Sequence, residues 1–327
     1  MTVLEAIQKS TEFLAKKGVE SPRLHTELLL AHLLKLPRMK LYLNFDRVLT
    51  PAETDRLREL IKRRAAREPL QHIVGSTLFC GHEILVSRHA LIPRPETELL
   101  AELGWKFIQG RAELPGSLDS RQRAPATVLD FGTGTGCIAI ALAVKCPSAQ
   151  ITALDISPDA LSLAKQNAAQ NKVAERIEFL LSDGFTALAV VAQAFFRTGS
   201  GTDNTGGMPV PLFDLIISNP PYIASAEIAT LAPEVRDFDP RGALDGGADG
   251  LDFYRRLAVE SKTFLKAEGK IMLEFGDGQA DAIQNIFETE KWIVEAVEAD
   301  YSHRARILIA KLSSSPSSAS KSLIEDE

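Results

Sequence analysis

The sequence predicts an α/β protein in which a mainly parallel, seven-stranded sheet is covered by helices on both faces and follows a small helical bundle. Two observations lead to this fold class. From Thr127 onward, apolar segments typical of strands alternate with segments of helical periodicity. Residues 1–72 show only helical patterns. A chain of 327 residues is also long enough for about two domains.

The helical bundle is predicted from helix-start signals in residues 1–72. Ser21-Pro22 is typical of a capping residue followed by proline at the first helical position. Thr50 with Glu53 three residues later forms a capping box before an apolar stripe. The module carries a formal charge of +5, whereas the rest of the chain carries −11. This asymmetry indicates either a docking surface for an acidic partner or a solvated helix surface.

A β-hairpin is predicted in the linking segment, residues 73–95, with Thr77–Cys80 and Glu83–Val86 flanking a turn at Gly81-His82. The second domain is then expected over residues 96–312, beginning with a helix from Glu96 to about Gln109. Three polar segments interrupt or end the pattern. We expect flexible insertions at residues 110–126 and 197–210, and a disordered tail at 313–327.

Seven strands are predicted in the second domain, and helices separate most of them. The strands are Thr127–Phe131, Gln150–Leu154, Arg176–Leu181, Phe213–Ser218, Lys270–Phe275, Trp292–Ala296 and Arg306–Ala310. The helices are Gly136–Lys145, Pro158–Asn171, Asp252–Lys266 and Gln279–Glu288. Ligands of such sheets bind at the carboxyl ends of the strands.

Composition excludes several classes of protein. No segment approaches the roughly 20 apolar residues that span a bilayer, and the first residues lack the pattern of a signal peptide. The three cysteines have no CxxC spacing, and the six histidines form no HExxH motif. We therefore expect a cytoplasmic protein with neither a membrane partner nor a metal.

A glycine-rich loop follows the first strand of the sheet. Asp130 precedes a GxGxG pattern whose residues are Gly132, Thr133, Gly134, Thr135 and Gly136. Glycine allows the backbone to turn sharply and to approach a ligand closely. A dinucleotide fingerprint would need a third glycine at position 137, which is Cys137. The loop alone therefore indicates a nucleotide-like ligand only weakly.

Acidic residues end the next two strands. Asp155 follows an apolar strand, where its carboxylate can accept both hydroxyls of a ribose. The alternative is that Asp155 caps the following helix, although Ser157 is better placed for this role. Asp183 can accept the amino group of an adenine, or it is an ordinary turn residue. A glycine loop and two acids at three consecutive strand ends together indicate an adenosine site.

The sequence Asn219-Pro220-Pro221-Tyr222 follows a buried strand. The prolines fix the backbone and remove two N–H donors, which leaves bare carbonyl groups. The Asn219 side-chain oxygen and the Pro220 carbonyl can then accept two hydrogen bonds from one –NH₂ group. Tyr222 offers a flat face to a planar substrate. The motif predicts a site that holds a delocalised amide or amine nitrogen for attack on a methyl donor.

On these residues the chain resembles the HemK/PrmC family of protein-glutamine methyltransferases, which have the Rossmann-like fold of class I S-adenosylmethionine methyltransferases. The resemblance extends over about residues 1–311. It is carried further by Arg67 to Gln71, Leu91 to Glu98 and Pro240 to Leu251.

The resemblance implies a reaction, a partner and a set of site residues. The family methylates the glutamine of the Gly-Gly-Gln motif in class 1 peptide chain release factors, using S-adenosyl-L-methionine. Residues implied to bind the cofactor are Asp130, Gly132, Thr133, Gly134, Thr135, Gly136, Asp155, Asp183, Gly184, Phe185 and Asn219. Residues implied to hold the substrate are Asn219, Pro220, Pro221 and Tyr222, which are also the catalytic residues, with Arg94, Pro95 and Glu96. Some relatives carry an aromatic residue where this chain has Gly184, so Phe185 is expected to cover the adenine instead.

Three other functions remain open. A sister enzyme would methylate a glutamine of a ribosomal protein. A DNA or RNA adenine methyltransferase would use the same motif, but the charge of −11 on residues 73–327 is unfavourable for binding a phosphate backbone, and we expect no direct nucleic-acid partner. A non-enzymatic scaffold would show damage to Asn219 or the glycine loop, and both are intact.

Overall fold

The computed structural model describes residues 1–110, 124–190 and 212–313. The polar segments predicted at 110–126 and 197–210 and the tail from residue 313 lie almost entirely outside these ranges. Within the described ranges, no helix is both long and apolar enough to cross a membrane.

The first part of the chain is a bundle of five helices: α1 (Val3–Lys16), α2 (Pro22–Leu34), α3 (Arg38–Leu41), α4 (Pro51–Ala65) and α5 (Leu70–Val74). Apolar side chains from α1, α2 and α4 form its core. The capping box at Thr50 and Glu53 is confirmed, and a second one joins Thr2 to Glu5. Ser21 precedes α2 as predicted, but its φ of 47° turns the chain into the left-handed region and its side chain caps nothing.

A two-stranded hairpin, β1 (Ser76–Phe79) and β2 (His82–Leu85), follows the bundle. Phe79 pairs with His82, so the turn is Cys80-Gly81 and not Gly81-His82. Both turn residues have positive φ, 48° at Cys80 and 80° at Gly81, as a two-residue hairpin turn requires. The predicted turn at Gly81-His82 was one residue late, because Cys80 adopts the left-handed conformation of the turn and His82 pairs in β2.

The main sheet has seven strands: β3 (Thr127–Phe131), β4 (Gln150–Asp155), β5 (Ile177–Leu181), β6 (Phe213–Ser218), β7 (Leu265–Glu274), β8 (Trp292–Ala299) and β9 (Ala305–Leu312). Their order is β5-β4-β3-β6-β7-β9-β8. Strands β5, β4, β3, β6 and β7 pair in parallel with one another in this order. Strand β9 is antiparallel to both of its neighbours, β7 and β8. This is the predicted mainly parallel, seven-stranded sheet of the class I methyltransferase fold.

Helices cover both faces of this sheet. Those with both ends in the described ranges are α6 (Pro95–Gly110), α7 (Cys137–Lys145), α8 (Pro158–Gln170), α9 (Pro233–Arg236), α10 (Asp252–Glu260) and α11 (Ala280–Thr289). Short 3₁₀ turns lie at Ala174–Arg176, Ile228–Thr230, Arg241–Ala243 and Ser261–Phe264. Side chains of β6 alternate between the two faces: Leu215 and Ile217 pack with α6 and α7, and Ile216 packs with α10 and α11.

The predicted helix Asp252–Lys266 is shorter than expected. It ends at Glu260 and continues only as a 3₁₀ turn, because β7 already begins at Leu265. Leu265 pairs with Phe213 across a register shift in the neighbouring strand, which adds an irregular first half to β7. Tertiary pairing therefore overrides the helical pattern of these residues.

Candidate active site

A cavity of about 290 Å³ lies at the carboxyl ends of β3, β4, β5 and β6. This is the edge at which ligands of parallel sheets bind. Residues predicted from the sequence supply much of its lining: Arg94, Gly132, Thr133, Gly134, Thr135, Asp155, Asp183, Gly184, Asn219, Pro220 and Pro221.

The glycine loop is held against the end of β4. The backbone N–H groups of Gly132 and Thr133 both donate to the Leu154 carbonyl at 2.9 Å. Gly136 has φ of 82°, and a Cβ there would lie 3.1 Å from the Cβ of Ala164. Glycine at this position therefore allows close packing of α7 against α8. Gly136 does not line the cavity but sets the course of the loop that does.

Asp130 lies beneath the loop and does not line the cavity. Its Oδ2 accepts hydrogen bonds from Thr133 Oγ1 at 2.6 Å and from the Ala139 N–H at 3.2 Å. Complete burial raises the pKa of Asp130 to about 7, although these two hydrogen bonds act in the opposite direction. Asp130 therefore ties the first turn of α7 to the loop and has no direct access to a ligand.

Asp155 lines the cavity and also joins two turns. Its Oδ2 accepts the Gly134 N–H at 2.8 Å, and its Oδ1 accepts the Ser157 N–H at 2.9 Å. The cap of α8 is Ser157, whose Oγ accepts the Ala160 N–H at 3.2 Å. A carboxylate has about four lone-pair positions, so Asp155 retains acceptor capacity for a ligand.

Asp183 lines the cavity together with a residue that no sequence pattern indicated. Arg256, on α10, donates from Nη1 to Asp183 Oδ1 at 2.6 Å. The guanidinium also occupies the space beside Gly184, where a Cβ would lie 2.1 Å from Arg256 Nη2. A side chain at position 184 would therefore displace Arg256 from the cavity wall.

The structure does not place Phe185 over this cavity, and the expectation that it covers the adenine was wrong. Its ring is 3% exposed and stacks on Phe264 with ring centres 4.7 Å apart. Phe131 packs against the same ring. The apolar layer between the sheet and α10 therefore holds Phe185, while Arg256 reaches the position beside Gly184.

Asn219 lines the cavity, and two neighbouring side chains accept hydrogen bonds from its amide nitrogen. Its Nδ2 donates to Thr97 Oγ1 at 3.1 Å and to Glu274 Oε1 at 3.0 Å. The ionised form of Glu274 only accepts hydrogen bonds, so it favours the orientation in which the –NH₂ end of the amide faces Glu274. No described residue donates to Asn219 Oδ1 or to the Pro220 carbonyl, and both remain as acceptors.

Glu274 ends β7 and is 2% exposed. Burial raises the pKa of Glu274 to about 7, and the hydrogen bonds from Thr97 and Asn219 partly offset this effect. Its Oε2 has no hydrogen-bond partner among the described residues. Sequence patterns predicted no role for Glu274 or Thr97 beside Asn219, because each contacts Asn219 only after α6 and β7 pack beside β6.

A second cavity of about 220 Å³ adjoins the first, and the two share Leu91, Arg94, Asn219, Pro220 and Ala243. Tyr222 lines only the second cavity, and its carbonyl accepts Gln279 Nε2 at 2.9 Å. The rest of the second cavity is apolar: Ile223, Leu231, Val235 and Leu244. Asn219 and Pro220 therefore stand at the junction of two compartments.

The predicted residues of the Arg94 segment separate in the structure. Arg94 lines both cavities and donates from Nη2 to Asp239 Oδ2 at 2.6 Å. Pro95 and Glu96 are exposed at the start of α6 and line neither cavity. The turn before α6 therefore brings only the arginine to the site.

Two family profiles match the chain. Residues 5–75 match the PrmC N-terminal domain, and residues 123–308 match a methyltransferase domain. A release factor glutamine methyltransferase from Geobacter sulfurreducens is 40% identical over 88% of this chain and 88% of its own. Another, from Chlorobaculum tepidum, is 39% identical over 87% of this chain and 89% of its own.

Solved structures align at lower identity. A methyltransferase from Pyrococcus furiosus is 17% identical, with a TM-score of 0.44 over 79% of this chain and 98% of its own.

Proposed function

Because the chain belongs to the family of release factor glutamine methyltransferases, we propose that it methylates the side-chain amide nitrogen of the glutamine in the Gly-Gly-Gln motif of class 1 peptide chain release factors. The observation that carries this proposal is the junction at Asn219. There, two acceptors without a described donor stand between a cavity lined by acids and glycines and a smaller apolar cavity.

The larger cavity fits S-adenosylmethionine as methyl donor. Asp155 keeps free acceptor positions for ribose hydroxyls, Asp183 accepts an adenine amino group, and the glycine loop leaves room for close approach. When bound, this cofactor supplies a methyl group on a positively charged sulfur. Asp130 and Gly136 support the loop from below.

The smaller cavity receives the glutamine. Asn219 Oδ1 and the Pro220 carbonyl accept the two N–H bonds of its amide, and Tyr222 packs against the planar group. Gripping both hydrogens favours a pyramidal nitrogen, which localises the lone pair and directs it toward the larger cavity. The nitrogen gains the methyl group while the methyl–sulfur bond breaks, and one N–H proton then leaves to water.

Thr97 and Glu274 fix the direction of the Asn219 amide. If the amide turned over, its –NH₂ group would face the substrate –NH₂ group, and two donors would oppose each other. The hydrogen bonds to Thr97 and Glu274 favour the productive orientation before the substrate arrives. Such preorganisation is the main means by which polar groups accelerate a reaction.

The helical module, residues 1–72, is proposed to dock the release factor, with residues 73–95 linking it to the methyltransferase domain over residues 96–312. Its charge of +5 suits an acidic partner surface. Because release factors act at the ribosome, the proposal places the enzyme in the cytoplasm.

The test is transfer of a labelled methyl group from S-adenosylmethionine to a purified class 1 release factor, with mass spectrometry to locate it. We expect one methyl group on the Gly-Gly-Gln glutamine, and none when that glutamine is changed to alanine. An Asn219→Ala enzyme should bind the cofactor and transfer the methyl group about 100-fold more slowly. Cofactor binding without transfer to the release factor would overturn the substrate assignment, and ribosomal protein and nucleic acid would be assayed next.

A further inference from the structure

The wall of the smaller cavity includes a segment that follows Tyr222. Leu231 and Val235, on either side of Glu234, line this cavity. The short helix α9 carries Glu234 and Val235 on adjacent positions. Glu234 therefore lies on the same short segment as two apolar residues of the cavity wall.

Two arginines of the helical module hold Glu234. Arg67 donates from Nε and Nη2 to the two carboxylate oxygens of Glu234, each at 2.6 Å. Arg64 donates from Nη2 to Glu234 Oε1, also at 2.6 Å. A two-pronged contact between guanidinium and carboxylate fixes direction as well as distance. Arg67 and Glu234 are separated by 167 positions in the sequence, so this is a contact between the bundle and the catalytic half of the chain.

All three guanidinium nitrogens of Arg64 donate hydrogen bonds. Its side chain is 3% exposed, and its other nitrogens donate to His25 Nδ1 at 3.0 Å and to the Glu68 carbonyl at 3.1 Å. Burial raises the pKa of Glu234, but hydrogen bonds from Arg67 and Arg64 outweigh this effect and lower the pKa to about 2. Because the Arg64 side chain is buried, removal of Glu234 is costly, since it leaves the charge of Arg64 uncompensated.

The backbone at Arg67 is also unusual. Its φ of 69° lies in the left-handed region, which is uncommon for residues other than glycine, asparagine and aspartate. This conformation ends the segment after α4 and directs the Arg67 side chain to α9. A glycine would adopt the conformation more easily but could not make the contact.

We propose that Arg64, Arg67 and Glu234 form a clamp through which the helical module sets the position of α9, and so the shape of the cavity that receives the substrate glutamine. The assignment of the cavity rests on the proposed function, whereas the mechanical role of the clamp does not. The three residues are positioning residues, since none of them lines either cavity. The helical module then contributes to substrate binding at the active site in addition to docking the partner.

Hydrogen–deuterium exchange tests the clamp without any substrate. Glu234→Gln removes the charge and places an –NH₂ group against Arg67, and Arg67→Gln breaks the same contact from the other side. In both variants we expect amides of residues 232–239 to exchange about tenfold faster, while β3 and β4 keep wild-type protection. Asp237→Asn is the matched control, because it breaks the exposed pair of Asp237 with Arg236 in the same segment. Wild-type exchange in both clamp variants, or acceleration spread evenly over the chain, would overturn the clamp.

Enzyme kinetics then tests the effect of the clamp on substrate binding. In Glu234→Gln and Arg67→Gln, we expect the KM for the release factor to rise about tenfold. The double variant should be no worse than Glu234→Gln alone, because Glu234→Gln already removes the contact that Arg67→Gln breaks. The dissociation constant for S-adenosylmethionine should not change. Arg63→Gln, which breaks an ion pair with Glu68 inside the module, should keep the wild-type KM. Faster exchange at α9 with an unchanged KM would refute the link between the clamp and substrate binding. An inactive wild-type enzyme would refute the proposed function, but the exchange result for the clamp would still stand.

Discussion

At the scale of single residues, the site depends on polar groups whose direction is set by buried neighbours. Asn219 presents a free oxygen because Glu274 and Thr97 take its –NH₂ group. Asp183 presents a carboxylate that Arg256 holds from the side. In both cases the residue expected from the sequence faces the cavity, and the residue that orients it comes from a distant part of the chain.

Glu274 makes the orientation of Asn219 dependent on pH. Burial raises the pKa of Glu274 to about 7. The carboxylate form only accepts, whereas the protonated form can donate to Asn219 Oδ1 and so favour the reversed amide. We expect kcat to fall as the pH drops through about 7, and this acid limb to be absent in Glu274→Gln, which does not titrate. A pH–rate profile of kcat measures this. The same acid limb in both enzymes would show that another group is responsible.

Arg256 is expected to strengthen cofactor binding. It orients Asp183 and fills the wall beside Gly184, so its removal leaves both without support. Arg256→Ala should weaken S-adenosylmethionine binding about tenfold, or about 1.4 kcal/mol, by titration calorimetry. Arg255→Ala is the control, since Arg255 pairs with Asp249 and Asp252 and does not line the cavity. Equal affinities in the two variants would exclude this role for Arg256.

At the scale of elements, the sequence predicted strands most accurately where they are buried on both faces. The bounds of β3 and β6 agree with the prediction, because continuous apolar runs end at a glycine loop and at Asn219. Errors occurred where pairing with another element decides the outcome. The hairpin turn shifted by one residue to include Cys80, and β7 began five residues early because Leu265 pairs with Phe213.

Helix α6 packs so closely on the sheet that Gly104 leaves little space for a side chain. A Cβ at Gly104 would lie 3.0 Å from Ile217 Cδ1 and 3.2 Å from Leu142 Cδ2. Gly104→Ala gains up to about 1 kcal/mol in helix propensity, but overpacking costs about 1–3 kcal/mol. We expect the free energy of unfolding in urea to fall by about 1 kcal/mol. Gly110→Ala in the same helix meets open space and should not lower it. A higher free energy of unfolding in Gly104→Ala would mean that Ile217 and Leu142 move aside at little cost.

At the scale of the whole molecule, the catalytic centre combines parts that are far apart in the sequence. The cofactor loop, Asp155, Asp183 and Asn219 could be predicted because each follows a strand, and parallel strands bring their carboxyl ends together. Thr97 lies 122 residues from Asn219, and Arg256 lies 73 residues from Asp183. The exact pairing of such residues depends on helix packing, which local patterns do not encode.

Buried carboxylates also make the stability of the whole fold depend on pH. Burial raises the pKa values of Asp130 and Glu274 to about 7, above those of the unfolded chain. Between about pH 4 and 7 the folded state therefore holds protons that the unfolded state releases, and the contribution of these groups to stability falls as the pH rises.

Glu274→Gln isolates one of these contributions, because histidines and other carboxylates titrate equally in both proteins. Relative to the variant, the wild type should lose free energy of unfolding from pH 5 to 8, with a slope of at most about 1.4 kcal/mol per pH unit. Urea denaturation of both proteins at several pH values measures the difference. Glu234 does not interfere, since its pKa is lowered to about 2 and its contribution is lost only in acid below this window. A difference that stays constant with pH would mean that Glu274 is charged throughout, and that its carboxylate is better solvated than its burial implies.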